Sequence, residues 1–268
     1  MKDFLEKSIK KISDASTRAA KYSEKLDHFS HIVTRQTLLD LAGKKLKDRP
    51  LLLVSNREPY AHVMRDGAVT AIRNAGGLTI ALDSIAQAFH STWVCQGSTE
   101  ADFQVLDDKG LVAVPPAAPT YKLRRLRLTP DEEHGYYEGF SNETLWPLCH
   151  VCYVRPKFSP TDWETYDQVN LKFAQAVAES AEPGAVVFLQ DYHLSRTAWH
   201  LKTLRPDLVT ALFWHIPWPN PEIFRILPWK AEILEGLLAN DILGFHLKYH
   251  ADNFMDTVDL ELESRIDR

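Results

Sequence analysis

The chain has 268 residues, is 45% hydrophobic, contains three cysteines and carries a formal net charge of −5. That composition can bury one large α/β domain or two smaller domains, whereas no apolar run approaches the roughly 18 residues that a membrane-spanning helix needs. The N-terminus lacks the apolar stretch of a signal peptide, and three cysteines are too few for a disulfide framework, so we expect a cytoplasmic protein with no membrane partner.

The net charge hides an asymmetry along the chain. Residues 1–50 carry 12 basic and 7 acidic side chains, whereas residues 51–268 carry 19 basic and 29 acidic ones. A basic tail could contact an acidic partner, but its basic residues alternate with acidic ones, which favours a solvated helical extension over residues 1–50. The acidic body argues against a nucleic-acid partner.

The first predicted elements are a strand, a hairpin and a helix. The apolar run Leu51–Ser55 is typical of a buried strand, and the polar loop after it has a hairpin turn at residues 66–67. Gly76 and Gly77 then open a helix over residues 78–89. A glycine pair at a helix N-terminus lets a phosphate approach closely, although a plain tight turn is the simpler explanation. The apolar positions that predict the buried face of this helix are Leu78, Ala81, Leu82, Ile85 and Ala88.

Short strands are predicted next over residues 91–96, Leu111–Val114 and residues 121–128. The last of these runs alternates leucines with basic residues, which are Lys122, Arg124, Arg125 and Arg127. These side chains could meet an acidic ligand, but one solvated face of a sheet explains them as well.

A helix start and an unusually aromatic segment follow. Thr129 and Glu132 have the spacing of a capping box. The segment after them contains Tyr137 and Trp146, two aromatic side chains that could stack on a sugar. A long amphipathic helix is predicted over residues 161–181.

A strand, a crossover helix and a second strand organise the centre of the chain. The apolar runs are residues 185–189 and Val209–Trp214, and a helical pattern covers residues 194–204 between them. A crossover of this kind makes the two strands parallel, so their carboxyl ends lie at the same edge of one sheet. Asp191 and His215 follow these strands, so we expect both at this edge, where ligands of parallel sheets bind.

The chain ends in a predicted helix over residues 228–238, a buried strand over residues 241–245 and a charged helix over residues 246–266. Strands alternate with helices throughout, so the predicted fold class is α/β with a mainly parallel sheet.

Two motifs resemble metal sites but are incomplete. Cys149 and Cys152 form a CxxC without the second ligand pair that a zinc site needs, which favours core packing. His246 and His250 have the histidine spacing of zinc proteases, but Leu247 stands where the catalytic glutamate is required.

The remaining polar groups at predicted strand ends are Arg57, the Gly76-Gly77 turn, Asp191, His193 and His215. Asp191 could accept a hydrogen bond from a ligand hydroxyl, and His215 could donate to a hydroxyl or a phosphate. Arg57 and the glycine turn favour phosphate. Each residue alone is more often structural, but their joint placement predicts a small-molecule site.

Six motifs in a fixed order carry a family resemblance. They are VSNR at 54–57, AGGL at 75–78, YYxxFSNxxLWP at 136–147, DYHL at 191–194, WHIPWPxPExFR at 214–225 and DILGFH at 241–246. The sequence therefore resembles the trehalose-6-phosphate synthase family of retaining glucosyltransferases over about residues 51–255.

The resemblance implies a GT-B fold, in which two Rossmann-like domains enclose the active site. Residues 51–268 resemble the N-terminal, acceptor-binding domain, and the donor-binding C-terminal domain would be supplied in cis or in trans. The implied reaction transfers glucose from UDP- or GDP-glucose to glucose 6-phosphate with retention of the anomeric configuration. The resemblance implies no metal and no other cofactor. This chain alone would then be almost inactive, and a homo-oligomer is compatible with the family.

On the acceptor side, the resemblance implies that Arg57 meets the phosphate of glucose 6-phosphate. Tyr137 and Trp146 would hold the same sugar phosphate, and Asp191 would bind its hydroxyls.

On the donor side, Gly76 and Gly77 match the loop that closes over the diphosphate. His215 matches the histidine beside the transferred glucose, so His215 and Asp191 are the implied catalytic pair.

Two departures from the family pattern lie on the acceptor side. Gln96 stands where the family has a second tryptophan, and the loop over residues 58–74 is longer. The sequence therefore leaves open a glucosylglycerol-phosphate synthase-like enzyme, and also a non-catalytic module that binds or senses a sugar phosphate.

Overall fold

The computed structural model describes residues 35–46 and 49–267. The rest of the predicted extension, including residues 1–34, lies outside the described residues. The described strands are β1 (Leu51–Ser55), β2 (Tyr60–Arg65), β3 (Ala68–Arg73), β4 (Thr92–Gln96), β5 (Leu111–Val114), β6 (Tyr121–Leu126), β7 (Val186–Gln190), β8 (Val209–Trp214) and β9 (Ile242–Phe245).

The described α-helices are α1 (Arg35–Leu46), α2 (Gly77–Phe89), α3 (Glu100–Gln104), α4 (Pro130–Glu133), α5 (Trp146–Cys149), α6 (Pro160–Ser180), α7 (Thr197–Leu204), α8 (Pro221–Phe224), α9 (Lys230–Leu238) and α10 (Lys248–Leu262). A π-helix spans His134–Leu145, and a short 3₁₀ turn spans Tyr192–Leu194. Over residues 35–46 and 49–267, no helix is both long and apolar enough to cross a membrane.

The central sheet has seven strands in the order β5-β6-β4-β1-β7-β8-β9, and β2 pairs with β3 in a separate hairpin. Strand β5 is antiparallel to β6, whereas the other neighbours in the large sheet are parallel. This confirms the predicted α/β class with a mainly parallel sheet.

The strand order reverses direction at β1. The chain runs outward from β1 through β4 to β6, and then returns to place β7 against the other side of β1. Sheets wound in this way bind ligands in the crevice beyond the carboxyl ends of the strands where the order reverses. The expected binding crevice therefore lies beyond the ends of β1 and β7.

Both faces of the sheet are covered by helices, as is typical of parallel sheets. Val54 of β1 packs into the larger core, which includes Tyr166 and Phe173 of α6. Leu53 faces the other side and packs with Leu82 of α2. Packing on both faces holds the strands, and therefore the loops that follow them, in place.

The buried face of α2 differs from the predicted one. Ala81 is exposed, whereas Asp83 is buried and accepts hydrogen bonds from Arg73 (2.6 Å) and from the hydroxyl of Tyr121 (2.5 Å). The apolar pattern missed this part of the face because it counts apolar residues alone, while two distant donors satisfy the Asp83 carboxylate inside the protein.

Two further expectations about the sheet were wrong. Arg125 of β6 does not lie on a solvated face, because its side chain is fully buried. Strand β9 is an edge strand, and Ile242 in it is 62% exposed, so the predicted burial of this strand does not hold.

The π-helix packs closely against α6 through two glycines. A Cβ on Gly135 would approach Thr165 to 2.8 Å, and a Cβ on Gly139 would approach Asp162 to 2.7 Å. Only glycine fits at such distances, which explains its presence at both positions. The close contact fixes Tyr137, which lies between the two glycines in sequence.

Candidate functional site

Four neighbouring strands end at the carboxyl edge of the sheet, and polar residues follow or end each of them. Gln96 ends β4, Arg57 comes two residues after β1, Asp191 follows β7 and His215 follows β8. In the β1–β7 pair Val54 lies opposite Leu189, so both strands leave the sheet at the same level. The structure thus brings the predicted strand-end residues to one edge, as the sequence predicts.

Arg57, Tyr137 and His193 form a stack across the crevice. The Nη2 group of Arg57 donates to the hydroxyl of Tyr137 at 2.6 Å. The Tyr137 ring lies nearly parallel to the His193 ring, with centroids 5.5 Å apart and an interplanar angle of 13°. Tyr137 thereby holds the exposed guanidinium beside the ends of β1 and β7.

His193 is uncharged at neutral pH. Burial and the nearby positive charge of Arg57 lower the pKa of its ring to about 3. Its Nε2 atom is buried without a hydrogen-bond partner among the described residues. Because the His193 ring is neutral, Arg57 is the member of this stack that presents a positive charge to an anionic ligand.

Asp191 is held by the backbone that surrounds it. Its Oδ1 atom accepts from the backbone N–H of Tyr192 (2.9 Å) and of His215 (3.2 Å), while its own N–H donates to the carbonyl of Phe213 (2.8 Å). Its φ of 75° lies in the left-handed region, where a non-glycine residue stores of order 1–3 kcal/mol of strain. Burial raises the pKa of this carboxyl to about 6, although the two backbone donors act in the opposite direction.

His215 follows β8, the strand next to β7. Its Nε2 atom lies 3.0 Å from Oε1 of Gln190, and its ring contacts Phe213 in a tilted arrangement and His246 edge to face. Burial, and then the charge of His246, lower the pKa of the ring to about 4. The imidazole is therefore neutral at physiological pH and acts as a hydrogen-bonding group.

A cavity of about 430 Å³ opens beside the stack. Arg57, Gly76 and Tyr137 line it together with Gln96 and Glu58. Asp191 and His215 lie outside its lining, whereas Tyr137 lines the cavity and stacks on His193, two residues after Asp191. The cavity is large enough for a monosaccharide phosphate and offers one exposed cation.

The two glycines at the N-terminus of α2 have ordinary backbone geometry, with neither at a positive φ. Gly76 is the extended N-cap residue with φ −66°, and a Cβ there would approach Thr79 to 3.2 Å. A Cβ on Gly77 would meet nothing within 4 Å. The fold therefore tolerates a side chain at Gly77, so its absence is better explained by access to the helix N-terminus.

Trp146 lies apart from the cavity. It begins α5, is 42% exposed and stacks on His150 with centroids 4.1 Å apart. Of the predicted aromatic pair, the structure places Tyr137 at the cavity and leaves Trp146 on the surface.

A buried charge network below the cavity was missed by the sequence analysis. Arg125 donates to Oε2 of Glu58 (2.7 Å) and to the backbone carbonyls of Asp102 (2.8 Å) and Tyr60 (2.7 Å). A further contact of 2.8 Å joins Arg125 to Nδ1 of His62. The network ties the loop after β1 to β6 and α3, and thereby supports the residue that follows Arg57.

The two carboxyls of this network have opposite pKa shifts. Burial raises the pKa of Glu58 to about 8, although Arg125 acts against it. The pKa of Asp102 is lowered despite its burial, because backbone N–H groups and Arg125 stabilise the carboxylate. At neutral pH Glu58 is therefore mostly protonated and Asp102 is ionised. The alternation of charged and apolar residues at 122–127 was the one available signal, and it favoured a solvated face.

Comparison with known proteins decides the family. A profile described as Glycosyltransferase family 20 matches residues 49–267. This chain belongs to glycosyltransferase family 20. The match covers the whole central sheet and the candidate site residues from Arg57 to His215. It confirms the resemblance to the trehalose-6-phosphate synthase family.

Individual relatives agree with this family 20 assignment. The trehalose-6-phosphate synthase of Mycobacterium ulcerans is 39% identical over 223 residues, which is 82% of this chain and 43% of that protein. A structure from E. coli with bound UDP-2-fluoro glucose has a TM-score of 0.65 at 26% identity, and the match covers 82% of this chain and 44% of that one.

A third relative is an alpha,alpha-trehalose-phosphate synthase (UDP-forming) from Burkholderia xenovorans, solved in complex with glucose-6-phosphate. Its TM-score is 0.64 at 25% identity, with 79% of this chain and 43% of that chain covered. This family 20 chain thus spans less than half the length of each of these relatives.

Proposed function

We propose that this chain forms the acceptor-binding half of a retaining glucosyltransferase active site, and that its acceptor is glucose 6-phosphate. The observation that carries the proposal is the stack of Arg57, Tyr137 and His193 at the crevice between β1 and β7, with Asp191 beside it. A guanidinium favours the phosphate, and a carboxylate favours the sugar hydroxyls. The complex of the Burkholderia xenovorans relative with glucose-6-phosphate supports this acceptor.

The donor in this proposal is a nucleotide sugar, UDP- or GDP-glucose, held mainly by a second Rossmann-like domain in cis or in trans. The E. coli relative with UDP-2-fluoro glucose supports a donor of this class. Gly76 and Gly77 lie at the N-terminus of α2, where the helix dipole and free N–H groups favour the donor diphosphate. His215 lies at the neighbouring strand end, beside the sugar to be transferred.

The reaction needs no enzymatic nucleophile in this proposal. The bond between the anomeric carbon and the leaving phosphate breaks, and the bond to the acceptor hydroxyl forms on the same face of the sugar. The leaving phosphate oxygen takes the proton of that hydroxyl. Asp191 orients the acceptor, and Arg57 anchors its phosphate, so the protein contributes positioning and charge stabilisation without a metal or another cofactor.

A smaller polyol phosphate is the second candidate acceptor. Gln96 lines the cavity where the family resemblance places a tryptophan, which makes that wall more polar. Glycerol 3-phosphate keeps the phosphate that Arg57 would bind and lacks a ring that needs an aromatic wall. This second candidate corresponds to a glucosylglycerol-phosphate synthase-like enzyme.

Calorimetric titration of the chain tests the acceptor half-site. We expect glucose 6-phosphate to bind in the millimolar range or tighter. Asp191→Asn should lose most of this binding, because the amide removes the negative charge and retains only one acceptor oxygen. Stronger binding of glycerol 3-phosphate would select the second candidate. Absence of binding by either ligand would refute the proposed half-site.

Transferase assays separate catalysis from sensing. We expect almost no glucose transfer from UDP-glucose by the chain alone, and transfer once the second domain is supplied. Robust turnover by the chain alone would contradict the proposal that it holds half of the active site. Acceptor binding without turnover in the complete protein would instead indicate a non-catalytic sensing module.

A further inference from the structure

Gln190 has no role in the function derived above, yet it contacts one of the site residues directly. It is the last residue of β7, is 2% exposed and immediately precedes Asp191. Its Oε1 atom lies 3.0 Å from Nε2 of His215. Its amide nitrogen is buried without a hydrogen-bond partner among the described residues. The His215 contact is thus the one hydrogen bond that the buried amide makes in the described structure.

The ring of His215 carries a single proton, which can reside on either nitrogen. Burial and the charge of His246 lower its pKa to about 4, so the ring is neutral at physiological pH. Nε2 faces Gln190, whereas Nδ1 has no partner among the described residues. Because the ring is only partly buried and Nε2 is engaged by Gln190, Nδ1 is the nitrogen that remains for a ligand. The position of the proton therefore decides whether His215 donates to that ligand or accepts from it.

We propose that Gln190 is a positioning residue that holds the ring proton of His215 on Nε2 and so presents Nδ1 to the crevice as a hydrogen-bond acceptor. An amide oxygen only accepts hydrogen bonds, so the nitrogen that faces it at 3.0 Å must carry the proton. The backbone N–H of His215 donates to Oδ1 of Asp191 at 3.2 Å, which fixes the backbone from which the ring projects.

This tautomer restricts what His215 can bind. A phosphate oxygen at neutral pH offers lone pairs and a negative charge, so it cannot bond to an acceptor nitrogen. A sugar hydroxyl can donate to Nδ1. If the proposed glucosyl transfer is correct, on which this step rests, the sugar of the donor lies against His215 and the diphosphate lies elsewhere, towards the N-terminus of α2.

NMR spectroscopy of the ¹⁵N-histidine-labelled chain tests the tautomer without any need for turnover. We expect the His215 signals, assigned by their loss in His215→Gln, to show the Nε2–H tautomer at neutral pH with a slowly exchanging ring proton. In Gln190→Met that proton should exchange rapidly and its signal should disappear. Gln190→Glu retains an acceptor oxygen, so the signal should return and the pKa of His215 should rise.

Two results would overturn the proposal. One is an Nδ1–H tautomer in the unaltered chain, which would mean that the amide of Gln190 is rotated and donates to the ring. The other is a ring proton equally protected in Gln190→Met, provided that the backbone spectrum of the variant remains native-like. If Gln190→Met does not give a native-like spectrum, two other results decide. They are the tautomer of His215 in the unaltered chain and the pKa of His215 in Gln190→Glu.

Kinetics in the catalytically complete protein supply a second readout. We expect Gln190→Met to lower kcat about tenfold through the lost alignment of His215, while KM for glucose 6-phosphate remains nearly unchanged. Recovery of kcat in Gln190→Glu would support the positioning role. A roughly tenfold increase in KM for glucose 6-phosphate in Gln190→Met would contradict it. Absence of all transferase activity in the unaltered protein would refute the proposed function and leave the tautomer result intact.

Discussion

Substitution of Arg125 in β6 by methionine should destabilise the protein strongly, because this arginine is buried. The Arg125 side chain is fully buried and donates to Glu58, Tyr60 and Asp102 at 2.7–2.8 Å. Methionine retains most of the apolar volume but leaves two carbonyls and the Glu58 carboxyl without their donor. It also leaves the ionised carboxylate of Asp102, 3.3 Å from Arg125, without its buried cation. Removal of one partner from a buried ion pair costs about 3–5 kcal/mol, and we expect a loss of that size in the free energy of unfolding.

Arg127→Met is the matched control. Arg127 lies two residues further along and pairs with Glu100, but the two side chains are 51% and 79% exposed. An exposed pair of this kind contributes at most about 1 kcal/mol. Urea denaturation of both variants, followed by circular dichroism and tryptophan fluorescence, measures the difference. An Arg125→Met variant within about 1 kcal/mol of Arg127→Met would refute the view that this network supports the loop after β1.

Three further predictions concern the site itself. Because the pKa of Glu58 is raised to about 8 in the folded protein, the folded state holds its proton between about pH 4.5 and 8, and the free energy of unfolding should fall as pH rises through that window. Glu58→Gln removes this titration, so urea denaturation at several pH values should show the variant gaining stability relative to the unaltered chain towards pH 8; parallel curves would contradict the assignment. Gly77→Ala should leave stability unchanged or raise it by about 0.4–1 kcal/mol, since a Cβ there meets nothing within 4 Å, yet in the complete protein it should weaken binding of the donor in calorimetry. Asp191→Asn should change the free energy of unfolding by less than about 1 kcal/mol, because asparagine has nearly the same shape as aspartate and keeps an oxygen for the N–H groups of Tyr192 and His215; a larger loss in urea denaturation would show that the charge itself stabilises the fold.

The parts of the fold that could be predicted are those that local sequence determines. Contiguous apolar runs gave β1, β7 and β8, because strands of a parallel sheet are buried on both faces. Thr129 and Glu132 form the capping box that their spacing predicts, with both reciprocal hydrogen bonds present. The joint placement of Asp191 and His215 followed from the parallel strands that a strand–helix–strand unit produces, and the structure shows a hydrogen bond between them.

The parts that could not be predicted depend on partners distant in sequence. The predicted buried face of α2 did not include Asp83, and Arg125 was assigned to a solvated face, because charged residues are seldom buried without a partner. Their partners lie 10 to 67 residues away, at Arg73, Tyr121 and Glu58, so no local pattern reveals them.

The site shows the same limit of local pattern. His193 was recognised as a strand-end residue, but its stacking on Tyr137 depends on how the π-helix packs against α6. Gln190 gave no signal at all, because a glutamine at the end of an apolar run has no pattern that distinguishes it from a surface residue.

The central claim is that the crevice between β1 and β7 binds a sugar phosphate, and a crystal structure of the chain with glucose 6-phosphate tests it most directly. The account predicts that the phosphate lies against the guanidinium of Arg57 and that a sugar hydroxyl donates to the carboxylate of Asp191. A phosphate bound away from Arg57, or a crevice that remains empty at saturating glucose 6-phosphate, would contradict it.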